Sequence, residues 1–336
     1  MPADPNLSRR QFLKQSAAGV ATAGLTLEAA RVAEAAPAAL PKSKVVVVTN
    51  SAIGAPESMN QDAVTATVRK AVCTLFGTDD VAAAFGRLAT RDDIVALKPN
   101  CAGGTKANGT RLQVMIGLTN SLNAAGVPYP NMIVYEQDER LLRQSGYPIL
   151  KDKSNIRIMG VRESIGYSQK SYKQGEVEQR LAKVLEECSV LLNCPFLKTC
   201  PGFGVTLAMK NHQGSIQTPR LNHPPASRGG APHLADLSMI PLIRQKTKLV
   251  LCDATYPLYD GGPGDKPDAH WAYNTLLAAT DPVALDAVGY QILDDKRKEL
   301  GLDPIADVPA HIKVADMRRL GNGDLSNIER VDISMG

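Results

Sequence analysis

The stretch "LNCPFLKTCPGFGVTLAMKNHQG", residues 192–214, sets two cysteines, two lysines, two asparagines, a histidine and three glycines behind an apolar run. Ammonium groups and the backbone N–H groups of a glycine-rich turn are what a phosphate, sulfate or carboxylate needs around it. On this spacing Gly202 and Gly204 form such a turn ahead of "VTLAMKN", which reads as a helix, with Lys198 before it and Lys210 and Asn211 on it. Three more apolar runs end in the same manner. "DIVAL" leads into Lys98, Asn100 and Cys101, "MIVY" into Glu136 and Asp138, and "KLVL" into Cys252 and Asp253. Lys98, Lys198 and Lys210 would hold a small anionic ligand, and Asp253 would serve as acid, base or ligand. Lys98, Lys198 and Asp253 are therefore the groups expected to carry chemistry.

Six cysteines allow a second chemistry. Cys73 and Cys188 occupy apolar positions of helix-like segments and read as small buried hydrophobes. Cys101, Cys194, Cys200 and Cys252 instead fall at or just after the ends of three strand-like runs, so at least three of them are expected to lie together. Nearby Lys98 and Lys198 would favour thiolates. A disulfide, a divalent metal or iron–sulfur cluster, and free packed thiols all remain open. His233 and Asp236, at i and i+3, would share a helix face as further metal ligands or an acid–base pair. No HExxH or P-loop pattern and no Ser-His-Asp order is present.

These groups need a frame that gathers strand ends. "KVVVVTN", "DIVALKPN", "MIVYEQD", "IRIMG", "SVLLNCP" and "KLVLCDA" are short, rich in β-branched residues and apolar on both faces, as strands of a covered parallel sheet are. Between them "DAVTATVRKAVCTLFG", "RLQVMIGLTNSLNAAG", "VEQRLAKVLEECS" and "HLADLSMIPLIRQ" repeat apolar residues at helical spacing. The pattern predicts an α/β protein, a mostly parallel sheet with helices on both faces in three layers. In such sheets ligands bind beyond the carboxyl ends of the strands. "TDPVALDAVGYQIL" predicts a helix capped by Thr280 or Asp281, with Asp286 facing the same edge. "DGGPGDKP", residues 260–267, reads as a loop able to cover the site, and residues 218–232 as a long loop.

The amino terminus carries an address. "SRRQFLK", Ser8–Lys14, precedes an Ala- and Gly-rich stretch and the small-x-small sequence Ala33-Glu34-Ala35, which together resemble a twin-arginine export signal. Residues 1–35 are thus expected to engage the twin-arginine translocase and be removed, leaving residues 36–336 as one domain outside the cytoplasm, in the periplasm. The apolar stretch of about twelve residues is shorter than the roughly 20 a spanning helix needs, so no stable membrane anchor is expected. With 44% hydrophobic and 21% charged residues over 336, the chain is globular, and a net charge of +4 without lysine-rich runs excludes a nucleic-acid footprint.

"VALKPN", "NCPFLKTCPGFGVTLAMKNHQGSI", "HLADL", "LCDATYPLYDGGPG" and "AATDPVALDAVGYQIL" together resemble the family catalogued as domain of unknown function 362, over about residues 44–295. Some members of that family are named as iron–sulfur centre proteins and carry added ferredoxin-like domains; this chain lacks their Cys-x2-Cys clusters. The family pattern has His at position 200 and an aliphatic residue at 101, where this chain has Cys. The expectation is an exported metal- or iron–sulfur-linked enzyme or redox protein acting on a small anionic substrate, or, alternatively, a non-catalytic periplasmic anion-binding or assembly factor.

Overall fold

Val45 and Val47 project to one side of their strand and Val46 and Val48 to the other, and all four are buried. A strand that is apolar on both faces must sit between two layers, and the whole fold follows from that requirement. The structure, a computed structural model, describes residues 40–219, 231–305 and 309–336. The export signal and residues 220–230 of the long loop lie outside the described residues. From Leu40 onward the chain forms one compact unit, and among the described residues no helix is long and apolar enough to cross a membrane.

The strands are β1 (Ser43–Asn50), β2 (Val95–Pro99), β3 (Met132–Glu136), β4 (Arg157–Gly160), β5 (Tyr172–Gln174), β6 (Val177–Gln179), β7 (Val190–Cys194), β8 (Phe196–Cys200), β9 (Gly204–Thr206), β10 (Thr247–Leu258), β11 (Thr275–Ala279) and β12 (Ile328–Met335). The main sheet has the order β12-β1-β11-β10-β7-β2-β3-β4, with β8 and β9 joined to the far half of β10. Its pairings are parallel except those of β11 with β1 and β10, and of β8 with β9. All six runs read as strands are strands. β5 and β6 form a separate hairpin.

Helices Gln61–Phe76 and Leu112–Ala124 cover one face, where Val64, Val68, Leu118 and Leu122 pack on Val46, Leu97, Leu192 and Leu251. Helix Pro282–Glu299 covers the other, with Leu285, Val288 and Leu293 on Val45, Val47, Val250 and Leu277. Local chemistry sets the helix ends. The Asn60 side chain accepts the N–H groups of Asp62 and Ala63, and Asp281 accepts those of Val283 and Ala284.

Two segments depart from the sequence reading. "VEQRLAKVLEECS" supplies β6 and a single turn of helix, Val184–Glu187, because Leu181 bridges to Ile216 and draws the segment into extended backbone. "VTLAMKN" splits into β9 and a four-residue helix, Ala208–Asn211. The Gly202–Gly204 turn therefore closes a β8–β9 hairpin instead of feeding a helix; both glycines have positive φ, 80° and 77°.

The strand order reverses beside β2. The chain leaves β2 for β3 on one side through helix Leu112–Ala124, whereas it leaves β7 for β10 on the other through helix Ala231–Met239. Loops that diverge in this way open a crevice at the carboxyl ends of β2 and β7.

Candidate functional site

Lys98 ends β2 and Glu136 ends β3, and the β2–β3 pairing brings the two ends together. The Lys98 Nζ donates to Glu136 Oε2 at 2.8 Å and to the Pro99 carbonyl at 2.7 Å. Glu136 also accepts the backbone N–H groups of Cys101 and Gln137. The pair is closed over by Gly214, where a Cβ would lie 2.4 Å from Glu136 Oε1 and 2.9 Å from Lys98 Nζ. Beside it Asn211 forms a polar hub. Its Nδ2 donates to the Lys98 carbonyl at 2.9 Å and to Asn193 Oδ1 at 2.8 Å, and its Oδ1 accepts from Asn100 Nδ2 at 3.1 Å.

Lys198 rises from β8 over the Phe196 ring and is fully buried. Its Nζ reaches only neutral acceptors: Asn108 Oδ1 at 3.2 Å, the Asn108 carbonyl at 3.4 Å and the Pro263 carbonyl at 3.5 Å. Burial first, and the Lys210 charge second, lower its pKa to about 7. Lys210 is also buried, its ammonium over the Phe203 ring, and burial lowers its pKa too. Among the described residues neither lysine has a carboxylate partner.

These groups line one cavity of about 360 Å³ at the strand-end crevice. Lys98, Asn100, Lys198, Lys210 and Asn211 all contribute to it. Arg140, Arg162, Glu136 and Asp138 lie on its wall, and Asp138 is 3.6 Å from Arg162. Four buried polar atoms of lining residues have no hydrogen-bond partner among the described residues: Asn100 Oδ1, Gln137 Nε2, Thr206 Oγ1 and Gln213 Nε2. Of the 260–267 loop, one residue reaches this cavity. Pro263 lines the cavity and its carbonyl accepts from Asn108 Nδ2 at 3.1 Å, while Asp265 binds Thr105 at 3.0 Å and His270 at 2.8 Å.

Other expected site residues are employed elsewhere. Gly202 and Gly204 lie outside this cavity, in the hairpin turn. Asp253 is fully buried, and its oxygens accept from Arg111 N at 2.7 Å and from the Thr255 N–H and hydroxyl at 2.9 and 2.7 Å. It ties the loop after β2 to β10 and does not line the cavity. The helix end that was to receive an anion is already occupied by a carboxyl group of the protein's own: Asp286 accepts the N–H groups of Ala208 and Met209 at 2.7 and 3.1 Å. Burial raises Asp286 to about 8 despite those two donors. His212 is buried and its pKa is lowered to about 3, by burial and then by Lys98, so it is neutral.

The cysteines do not converge. Cys101 and Cys194 pack in the core on the Gln61–Phe76 side, Cys252 in the core on the opposite face, and Cys200 with Phe203 and Leu234. The reason is strand alternation. Val250 pairs with Asn193, so Cys194 is level with Leu251, and Cys252, one residue on, turns to the other face. All six cysteines are free and buried. Burial raises the pKa of Cys101, Cys194 and Cys252, and Lys98 does not reverse this at Cys101 or Cys194. Protonated thiols are not metal ligands. His233 donates nothing to this set: its carbonyl accepts from Gln174, and Asp236 is paired with Arg318. No three His, Cys, Asp or Glu side chains among the described residues can hold a metal ion together. The described residues thus do not fit an iron–sulfur cluster or a thiolate-bound metal.

Sequence reasoning passed over Asn108, Arg111 and Thr206. Arg111, over the Phe196 ring, donates to the carbonyls of Lys106, Ala107 and Gly109 and so shapes the loop that carries Asn108. The loop's "NGTR" gave only a turn signal; Thr206 was hidden by the helical reading of its segment.

Residues 95–291 match the model of the family described as "Domain of unknown function (DUF362)". None of the curated proteins matches. Among solved structures, a crystal structure of a protein from Thermotoga maritima aligns with a TM-score of 0.42 and 9% identity over 74% of this chain. The alignment spans 59% of the Thermotoga chain. The lactate racemase apoprotein from Thermoanaerobacterium thermosaccharolyticum aligns with a TM-score of 0.33 and 9% identity over 86% of this chain and 83% of its own.

Proposed function

The chain belongs to the DUF362 family, and we propose that it is an enzyme that binds a small anionic substrate in the strand-end cavity and uses Lys198 to move a proton. One observation carries this reading: Lys198 and Lys210, both buried, share the cavity with no described carboxylate against either. A buried charge without a counter-charge costs several kcal/mol unless it is neutralised or meets an opposite charge. Lys98 has Glu136; the other two are complete only with an anion. Phosphate, sulfate and carboxylate groups supply that charge and accept the donors that line the wall. Lys198, at about 7, takes up and releases a proton near neutral pH, as a general acid–base group must. Neutral acceptors at 3.2 to 3.5 Å leave its Nζ available to a ligand. Following the Ser8–Lys14 address, we also propose export through the twin-arginine translocase, with the domain working in the periplasm.

Thermal unfolding with a panel of phosphate, sulfate and small carboxylates tests the site. A ligand at one hundred times its Kd stabilises the native state by about 2.7 kcal/mol. The wild type should gain Tm with at least one of these anions, and Lys210→Met should lose that gain while remaining folded. A wild-type Tm indifferent to the whole panel would overturn the reading.

A further inference from the structure

Thr206 on β9 pairs directly with Lys198 on β8 across an antiparallel ladder, so the two side chains stand on the same face and both line the cavity. The Thr206 hydroxyl is buried and has no partner among the described residues, and neither does the Asn100 carbonyl oxygen. The latter's orientation is set, since Asn100 Nδ2 is committed to Asn211. A simple oxyanion only accepts hydrogen bonds, so it leaves Asn100 Oδ1 without a donor. The ligand that satisfies this wall must carry negative charge for Lys210 and must also present, at some stage, a hydroxyl that donates to Asn100.

We propose that the substrate is a small 2-oxo acid and that Lys198 is the nucleophile that joins its ketone carbon as an imine, with Lys210 on the carboxylate and Thr206 on the carbonyl oxygen. This inference rests on the anion-site reading above and replaces proton transfer by Lys198 with covalent attachment, while Lys210 keeps its role on the anion. The Lys198 nitrogen lone pair attacks the carbonyl carbon, and the C=O π pair moves to oxygen, which is protonated to give a carbinolamine. Its hydroxyl donates to Asn100 Oδ1. Loss of that oxygen as water, carrying one proton from the Lys198 nitrogen and one from solvent, leaves a protonated C=N bond; nothing is oxidised or reduced. An amine beside a second cation in an apolar pocket is the environment that leaves a lysine free to react, and Phe196 and Lys210 supply both elements here. A cavity of about 360 Å³ is at the small end of ligand sites, in keeping with a compact acid.

The test is reductive trapping. The full chain is incubated at pH 7 with pyruvate or glyoxylate and sodium cyanoborohydride, digested and mapped by mass spectrometry, with Tm measured on the same mixtures before reduction. The reduced adduct should sit on Lys198 at no less than roughly tenfold the level on any exposed lysine, because exposed lysines are almost wholly protonated at this pH. Inorganic phosphate should compete it away, Lys198→Met should lose it, and Thr206→Val should lower it severalfold while the oxo acid still raises Tm. A Tm rise with pyruvate and glyoxylate but no adduct on Lys198 would refute imine formation and leave the anion site standing. Neither a Tm rise nor an adduct, in protein that also ignores phosphate, would sink both.

Discussion

Replacing Lys198 by Met keeps an unbranched apolar stem over Phe196 and removes the ammonium group, so the variant isolates what it costs to hold a charge there. Burial, and then Lys210, bring Lys198 to about 7 from an ordinary 10.5. At about 1.4 kcal/mol per pH unit, that gap amounts to roughly 5 kcal/mol. The bonds lost with the Nζ go to neutral acceptors at 3.2 to 3.5 Å, and they offset about 1 kcal/mol of it. The folded pKa lies below the unfolded one, so between about 7 and 10.5 the unfolded chain holds the extra proton and wild-type stability rises with pH. Below about 7 both states are charged and the full penalty applies. Lys198→Met should therefore be more stable than wild type by about 4 kcal/mol at pH 6. The advantage should shrink by about 1.4 kcal/mol per unit from pH 7 upward. Urea unfolding of both proteins at pH 6, 7, 8 and 9, in buffers without phosphate, reads both quantities. Equal stability at pH 6, or a difference that does not narrow as the pH rises, would refute the claim that Lys198 bears an uncompensated buried charge.

Lys98→Met should act in the opposite sense, losing about 3 to 5 kcal/mol because Glu136 is left buried without its cation; Lys98→Met combined with Glu136→Gln should recover part of the loss, as urea midpoints will report. Cys101, Cys194 and Cys252, with raised pKa values, should resist iodoacetamide in native protein at pH 7.5 and react completely in denaturant; rapid labelling of the native form by mass spectrometry would show that they are open and thiolate-like. Replacing Arg9 and Arg10 by Lys should leave the precursor in the cytoplasm with its fold intact, and normal periplasmic yield on fractionation would show that the pair is not a translocase address.

The parts of the fold that could be read from residue order are those governed by local pattern. Runs such as "KVVVVTN" read as strands, and each is one, although β4 at the sheet edge is only half-buried on one face. Lys98 was legible because the carboxyl ends of parallel strands share an edge whatever the strand order, whereas Lys198 comes from the middle of β8 and Lys210 from the helix Ala208–Asn211. Contacts that depend on strand order were not legible. Glu136 meets Lys98 only because β3 lies next to β2, and Cys252 turns away from Cys194 only because of the β7–β10 register. The glycine turn misled for a different reason. "PGFG" supplies positive φ equally well to a hairpin and to a strand–helix corner, and the choice was made by β8 pairing with β10, a contact distant in sequence.

Stable folds pair their buried charges and satisfy their buried polar atoms, and most of this molecule does so. Asp253 accepts three hydrogen bonds, Asp286 accepts two backbone N–H groups, and Lys98 is matched to Glu136. Other unpartnered atoms among the described residues are found on residues as far apart as Arg157, Gln179 and His311. In the strand-end cavity four such atoms stand with two lysines that have no described counter-charge. Either departure alone would be an ordinary imperfection of packing. Both departures fall in one cavity, at the point where the strand order reverses, and the proposed site rests on that coincidence: an anion there would compensate the lysines and accept from the donors of the wall, and a hydroxyl carried on it would serve Asn100 Oδ1.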